Sequence, residues 1–171
     1  KNFVGVDIKG ARMWRGAKTA TEQQMGNVGF LRTRIEFIDS CFGPGEVDEI
    51  WITFPDPQLR KSRVKKRLTA PDFLERYARF LRPGGTIHLK SDCRHLHDYT
   101  RAVAEGNQLP IEAANTDIYG SGFADELLSI KTTYEKRFLA QGVPITYLRF
   151  RLDDRNTFDP IEFAPDEQLL G

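Results

Sequence analysis

The chain has 171 residues, 40% of them hydrophobic and twelve of them Phe, with a net charge of +1. That length normally forms one domain with a buried core, and Pro and Gly are too sparse for a disordered chain. No uncharged apolar run approaches the roughly 18 residues a membrane span needs, and no secretory leader pattern opens the sequence.

The apolar run from Phe3 to Ile8 predicts a buried strand ending near Asp7. Met13, Trp14, Ala17, Ala20 and Gln24 or Met25 recur at helical spacing, so a helix is expected over residues 11–24, stopped by Gly26-Asn27. A second strand is expected over 28–31 and a short helix over 35–42, before the Gly43-Pro44-Gly45 turn. The segment 47–54, VDEIWITF, predicts a third strand, which must end at Pro55-Asp56-Pro57 because proline cannot donate to a ladder. Thr69 is the expected N-cap of a helix with Pro71 and Asp72 in its first turn. Pro83-Gly84-Gly85 should end that helix and Thr86 to Lys90 form a fourth strand. A helix over 92–105, a strand over 109–116, a Gly-containing loop over 118–123 and helix within 125–141 follow. The segment 145–152 alternates like a late, antiparallel strand, and 153–171 reads as a tail or loose strand. Strands alternating with helices point to an α/β fold with a mostly parallel sheet, and no internal repeat is visible.

Ligands of such sheets sit beyond the carboxyl ends of the strands. Asp7, Asp56 and Asp92 each fall at or just past such an end. One acid there is by default a turn former; three at one rim point to a site. The charge is also uneven. Residues 60–67, RKSRVKKR, hold six basic side chains and no acid, so the rest of the chain carries a net −5. Like charges at that density repel, and a polyanion is the better account of them than a solvated loop. The two cysteines, Cys41 and Cys93, and the three histidines, His88, His95 and His97, show no metal-ligand spacing. Reduced thiols in a cytoplasmic protein, and a solvated loop or helix start around His95 and His97, are expected; no metal is. Trp14, Tyr119, Phe123 and Phe138 are default core aromatics.

Four stretches, VGVDIKGARMWRGAK (4–18), WITFPDPQLRKSRVKKRLT (51–69), LRPGGTIHLKSD (81–92) and TTYEKRF (132–138), resemble the bacterial tRNA (guanine-N7-)-methyltransferase family. They occur in family order across most of the chain, and the FPDP-plus-basic-cluster combination is the most specific. The resemblance implies a Rossmann-like class I methyltransferase sheet of seven strands, mostly parallel with a late antiparallel strand. It implies one methyltransferase domain over 1–171 that transfers a methyl group from S-adenosylmethionine to N7 of a guanine in the tRNA variable loop; the polar stretch 153–171 stays open between a peripheral tail and part of the core.

The same resemblance implies residue roles. Asp7 and Lys9 belong to the cofactor pocket, and a carboxylate at Asp7 suits the two ribose hydroxyls. Arg34, Ile35 and Glu36 stand near the adenine, where family members carry Asp-Ala. An arginine cannot accept a hydrogen bond from an amine, so Glu36, a backbone carbonyl or stacking must serve. Asp56 is the implied catalytic residue, close to the cofactor as well. Guanine N7 carries a lone pair and no proton, so an acid there positions the base and offsets its developing charge rather than acting as a general base. Arg60, Lys61, Ser62, Arg63, Val64, Lys65, Lys66 and Arg67 are the implied RNA contacts. Gln58 stands where the family has an aromatic, and Arg60 where it has lysine, a replacement that keeps charge but not geometry. Asp92, Thr132, Thr133, Tyr134 and Glu135 are implied on the substrate side, although Thr132 and Glu135 equally have the spacing of a capping box.

No E-x-G-x-G element precedes Lys1, so the first strand and Gly-rich loop of a class I methyltransferase are absent from this chain and are expected upstream in the natural protein. The alternative from another class is a non-catalytic RNA-binding module that kept the basic loop; the three acids favour the enzyme. Monomer and homodimer both stay open.

Overall fold

A computed structural model describes residues 1–164. They divide into two compact units, residues 1–43 and the remainder from Pro44.

In the first unit β1 (Phe3–Asp7) and β2 (Val28–Arg32) pair in parallel, with Asp7 opposite Arg32. They are linked by α1 (Gly10–Glu22), a right-sized crossover for a parallel pair. The helix ends two residues earlier than the apolar spacing suggests. Its termination is a Schellman motif in which Gln24, not a glycine, takes the left-handed position at φ 53°. Met25 N–H reaches the Ala20 carbonyl at 2.8 Å and Gln24 N–H that of Thr21 at 3.2 Å. The expected helix after β2 is a 3-10 turn, Ile35–Ser40, with only Ile38 buried.

The second unit is built on a four-stranded sheet ordered β3-β4-β6-β5, from β3 (Val47–Thr53), β4 (Leu81–Ser91), β5 (Ile111–Asn115) and β6 (Thr146–Leu152). β3 and β4 are parallel, while β6 runs antiparallel to both β4 and β5. Between β3 and β4 lie a 3-10 turn (Lys61–Lys66) and α2 (Pro71–Ala78). α3 (Arg94–Gly106) joins β4 to β5, and α4 (Thr133–Ala140) precedes β6. The core is Leu74, Ile87, Leu89, Leu96, Ala104 and Leu148, all fully buried or within 1% of it.

Three local expectations change. Thr69 does not cap α2: Ala70 is the N-cap with no side-chain bond, and the buried Thr69 hydroxyl instead meets Thr100 Oγ1 at 2.7 Å, tying the start of α2 to α3. Pro83-Gly84-Gly85 does not lie outside the strand. β4 starts at Leu81 and bulges there, six of its residues (81–86) spanning three of β3 (47–49). The bulge needs glycine twice, since Gly84 has φ +71° and a Cβ on Gly85 would sit 2.6 Å from Leu81 Cγ. His95 and His97 open α3, but buried rather than solvated.

Of the stretch 153–171, residues 165–171 lie outside the described residues. Before them, Arg155 donates to the Asn107 carbonyl, Asn107 and Asp159 exchange two hydrogen bonds of 2.7 and 3.0 Å, and Phe158 is buried. The Phe163 ring stands edge-on to His95 and Tyr99.

One ion pair in this unit is sealed from water. Lys90 Nζ and Glu135 Oε1 are 2.7 Å apart with side chains 5% and 0% exposed. Lys90 also donates to the Leu128 carbonyl, and the Tyr119 hydroxyl to Glu135 at 2.6 Å. Removing one partner of such a pair strands the other charge. Lys90→Met should therefore lower the unfolding free energy by about 3–5 kcal/mol in urea denaturation; a loss below about 1 kcal/mol would mean that water reaches Glu135.

Candidate active site

Each unit collects acids at the carboxyl ends of parallel strands. In the first unit, Asp7 closes β1 and Arg34, Ile35 and Glu36 follow β2. The Asp7 side chain is oriented by the Lys9 backbone N–H, which donates to Oδ1 at 2.8 Å, and by Arg12, 3.6 Å from Oδ2. A carboxylate has about four lone-pair directions, so acceptor capacity remains for a vicinal diol. Arg34 and Glu36 are both exposed and face each other at 3.4 Å, and the Arg34 guanidinium lies over Phe37. Ile35 is half-buried. The Asp7 carboxylate has the acceptor chemistry that a nucleoside diol needs. After β2 the chain offers apolar surface and backbone, with Glu36 engaged by Arg34. An open groove of about 600 Å³ in this unit is lined by Ala17, Thr21, Met25 and Val28. It lies at the start of β2, away from Asp7, and has no charged lining.

In the second unit the strand ends are occupied more elaborately. Thr53 and Lys90 are paired across β3 and β4, and Phe54 N–H still reaches the Lys90 carbonyl at 2.8 Å. The chain then turns. Phe54 and Gln58, at φ 50° and 47°, bracket Pro55-Asp56-Pro57 with left-handed backbone that non-glycine residues seldom adopt. Asp56 is exposed, and its Oδ1 accepts the Gln58 N–H at 3.0 Å. Asp92 stands just past β4, half-buried. Burial pushes its carboxyl above the ordinary carboxylate range, against the opposing effect of a backbone hydrogen bond.

α4 reaches the same end of the sheet in two ways. Phe138 stacks on Phe54 at 6.0 Å, and Glu135 binds Lys90. Thr132 and Glu135 form a complete capping box, with Glu135 N–H to Thr132 Oγ1 at 3.1 Å and Thr132 N–H to Glu135 Oε2 at 3.3 Å. Thr132, Thr133 and Tyr134 are exposed. Glu135 is not: it is fully buried, so its expected contact with substrate is replaced by the ion pair and the cap. Tyr119 belongs to that arrangement through its bond to Glu135.

The basic segment divides. Arg60, Lys61, Ser62, Arg63, Lys65 and Lys66 are exposed, and Val64 is half-buried. Arg67, expected to grip a phosphate with them, is 2% exposed and turned inward. Its Nε donates to the carbonyls of Pro57 (3.1 Å) and Gln58 (3.3 Å), its Nη2 approaches His95 Nε2 at 3.3 Å, and its guanidinium covers the Tyr99 ring at 4.2 Å. Charge density along a sequence says nothing about which member of a cluster faces inward, so this residue was not separable from its neighbours.

The second unit thus brings Asp56, Asp92, Thr132 to Tyr134 and the basic loop to one end of one sheet, an arrangement suited to holding a polyanion against an oriented acid. A family model described as a putative methyltransferase matches residues 1–148, across both units. Solved structures with the same fold include TrmN from Thermus thermophilus, at TM-score 0.57 and 18% identity over 88% of this chain and 36% of that one. A geranyl diphosphate methyltransferase in complex with SAM aligns at TM-score 0.51 and 18% identity over 90% of this chain and 69% of that one. The fold is therefore the Rossmann-like class I methyltransferase fold, mixed parallel and antiparallel as the sheet order shows.

Sequence relatives are nearer. The tRNA (guanine-N(7)-)-methyltransferase of Bacteroides thetaiotaomicron is 52% identical over 89% of this chain and 60% of its own length. That of Christiangramia forsetii is 50% identical over 89% and 68%, and that of Porphyromonas gingivalis 51% over 97% and 69%. The chain belongs to the tRNA (guanine-N(7)-)-methyltransferase family, and it spans about two thirds or less of the length of these relatives.

Asp92 gives a test by pH. A carboxyl raised in the folded state destabilises the fold once ionised. That effect is absent below the unfolded-state value of about 3.9 and grows as pH rises through the folded-state value. Asp92→Asn should therefore raise Tm at pH 7, and the gain should shrink toward zero near pH 4, followed by thermal melts across that range. A gain independent of pH would assign it to something other than the buried charge.

Proposed function

We propose that this chain catalyses methyl transfer from S-adenosylmethionine to N7 of a guanine in the variable loop of tRNA, as a single methyltransferase domain working in the cytoplasm. Family membership supports the reaction, and the family match running across both units supports one domain. No described helix is long and apolar enough to cross a membrane. The single observation that carries the site is the Asp56 turn: an exposed carboxylate at the end of β3, oriented by Gln58 N–H, with five exposed basic residues within ten positions after it.

The cofactor supplies an electrophilic methyl group, and the chain's own residues supply position and charge. Asp7 is the ribose acceptor, with Lys9 setting its rotamer through the backbone N–H. Arg34, Ile35 and Glu36 border the adenine. Asp56 accepts the N–H donors of the guanine edge, aligns N7 with the methyl group and offsets the positive charge that N7 gains; no proton is taken from N7. Arg60, Lys61, Arg63, Lys65 and Lys66, with Ser62 among them, bind the tRNA backbone. Asp92, Thr132, Thr133 and Tyr134 border the substrate from β4 and α4. Glu135 acts there only through the cap that presents them.

Incubation of the protein with labelled cofactor and total tRNA, followed by nucleoside analysis, should yield 7-methylguanosine. A different methylated nucleoside would overturn the reaction, and RNA binding without transfer would favour the non-catalytic module. Asp56→Ala should reduce turnover about 10²-fold or more, on the scale of losing one electrostatic partner of the transition state, with cofactor affinity little changed in calorimetry. Turnover equal to wild type would remove Asp56 from the mechanism. Replacing Arg63, Lys65 and Lys66 together by alanine should weaken tRNA binding and flatten the slope of log affinity against log salt by about two to three units; an unchanged slope would mean that the loop faces away from the RNA.

A further inference from the structure

Arg67 is the one member of the basic segment that the RNA-binding role does not absorb. Its burial is unusual for the residue type. Among the described residues no carboxylate lies within ion-pair distance of it, and desolvation lowers its pKa. Among the described residues, backbone carbonyls, a histidine and an aromatic face hold it there. Its bonds go to the backbone carbonyls of Pro57 and Gln58, ten and nine residues earlier in the chain, and these carbonyls directly follow Asp56. Tyr99 from α3 supplies a ring face for the guanidinium. Guanidinium nitrogen cannot accept a hydrogen bond, so His95 Nε2 must be the acceptor, with the histidine proton on Nδ1. The Arg67 backbone is fixed as well, its N–H on the Val64 carbonyl at 3.0 Å and its own carbonyl taking the Ala70 N–H at 3.0 Å.

The consequence is geometric. Gln58 is held at φ 47°, and no glycine relieves the turn that presents Asp56. Left-handed backbone at a non-glycine residue persists only where the surroundings over-determine it. Pro55 and Pro57 have no N–H to tie down, so the carbonyls are the handles available, and Arg67 takes two of them. The same contact closes the base of the loop that carries Arg60, Lys61, Arg63, Lys65 and Lys66.

We propose that Arg67 is a positioning residue: it clamps the Pro57 and Gln58 carbonyls so that the Asp56 carboxylate and the basic loop keep a fixed relation, and it does not touch RNA itself. This rests on the reading of Asp56 as the residue that orients guanine, and it separates from that reading by experiment.

The test uses Arg67→Gln and Arg67→Lys in the protein as it is naturally encoded, assayed at a temperature well below the melting point of each variant. Three quantities are read: kcat and KM for tRNA, the salt slope of tRNA binding, and the hydrogen-exchange protection of the Gln58 amide by NMR. Lysine keeps the charge but not the planar fork that spans two carbonyls and a histidine. The expected result is a fall in kcat of about 10²-fold in both variants, as for a misplacement of order 1 Å, with an unchanged salt slope and lost Gln58 protection. A slope lower by about one in Arg67→Gln and restored in Arg67→Lys would overturn the proposal in favour of a phosphate contact. So would wild-type kcat in the variants, or a loss of kcat with Gln58 protection intact. Should Arg67→Gln fail to fold, Arg67→Lys decides alone, through kcat and the Gln58 amide. If Asp56→Ala keeps full turnover, the reading of Asp56 fails, while the Gln58 amide and the salt slope still decide what Arg67 does.

Discussion

The buried pair Lys90–Glu135 sets the geometry on which the second unit depends. Lys90 is the penultimate residue of β4, an inner strand of the sheet, and Glu135 is the N3 residue of α4. Through these two charges the helix start, the Tyr119 hydroxyl and the Leu128 carbonyl all converge on the strand end where the chain turns toward Asp92. Neither charge has water to fall back on, so each holds the other with little positional tolerance. Replacement by apolar side chains of similar volume can leave stability unharmed in such cases, so the pair is better understood through the order it imposes than through its energy. What it orders is the exposed run Thr132 to Tyr134 at the start of α4.

Much of the second unit was legible in the amino-acid pattern. A β-branched and aromatic cluster marked β3, and the alternation in 145–152 announced the antiparallel strand. The T-x-x-E spacing announced a capping box that is fully formed. Where the pattern misled, a tertiary contact had overridden a local preference. Thr69 looked like a cap because hydroxyls before a Pro-Asp pair usually cap; a buried partner at Thr100 outbid the helix terminus. Pro83-Gly84-Gly85 looked like a stop because such triplets usually sit outside ladders; a bulge absorbed it. Helix ends were blurred because glutamine, at Gln24 and Gln108, fills the left-handed position that glycine usually signals.

The site itself was legible in its parts and not in its division of labour. Asp56, Asp92 and the basic run stand out by chemistry and by their place after strands. Two neighbours in the same motifs, Glu135 and Arg67, carry the same kinds of charge and point the other way, into the protein. Periodicity cannot separate them, since the 3-10 turn Lys61–Lys66 has no apolar face long enough to set a phase. Charged residues in a functional motif thus fall into two kinds, those that meet the ligand and those that hold the first kind in place, and burial is what distinguishes them.

Asn107 has a consequence for how this protein can be handled. It ends α3, and its side-chain amide is satisfied by the Asp159 backbone, while its carbonyl receives Arg155. Residues 155–163 are therefore not a detachable appendage of the sheet. Phe158 fills a buried position, and Phe163 leans on His95 and Tyr99, the two residues that enclose Arg67. A cut placed at the last strand would expose that packing and uncover the Asn107 amide, so a fusion partner or affinity tag joined to this fold belongs beyond Phe163.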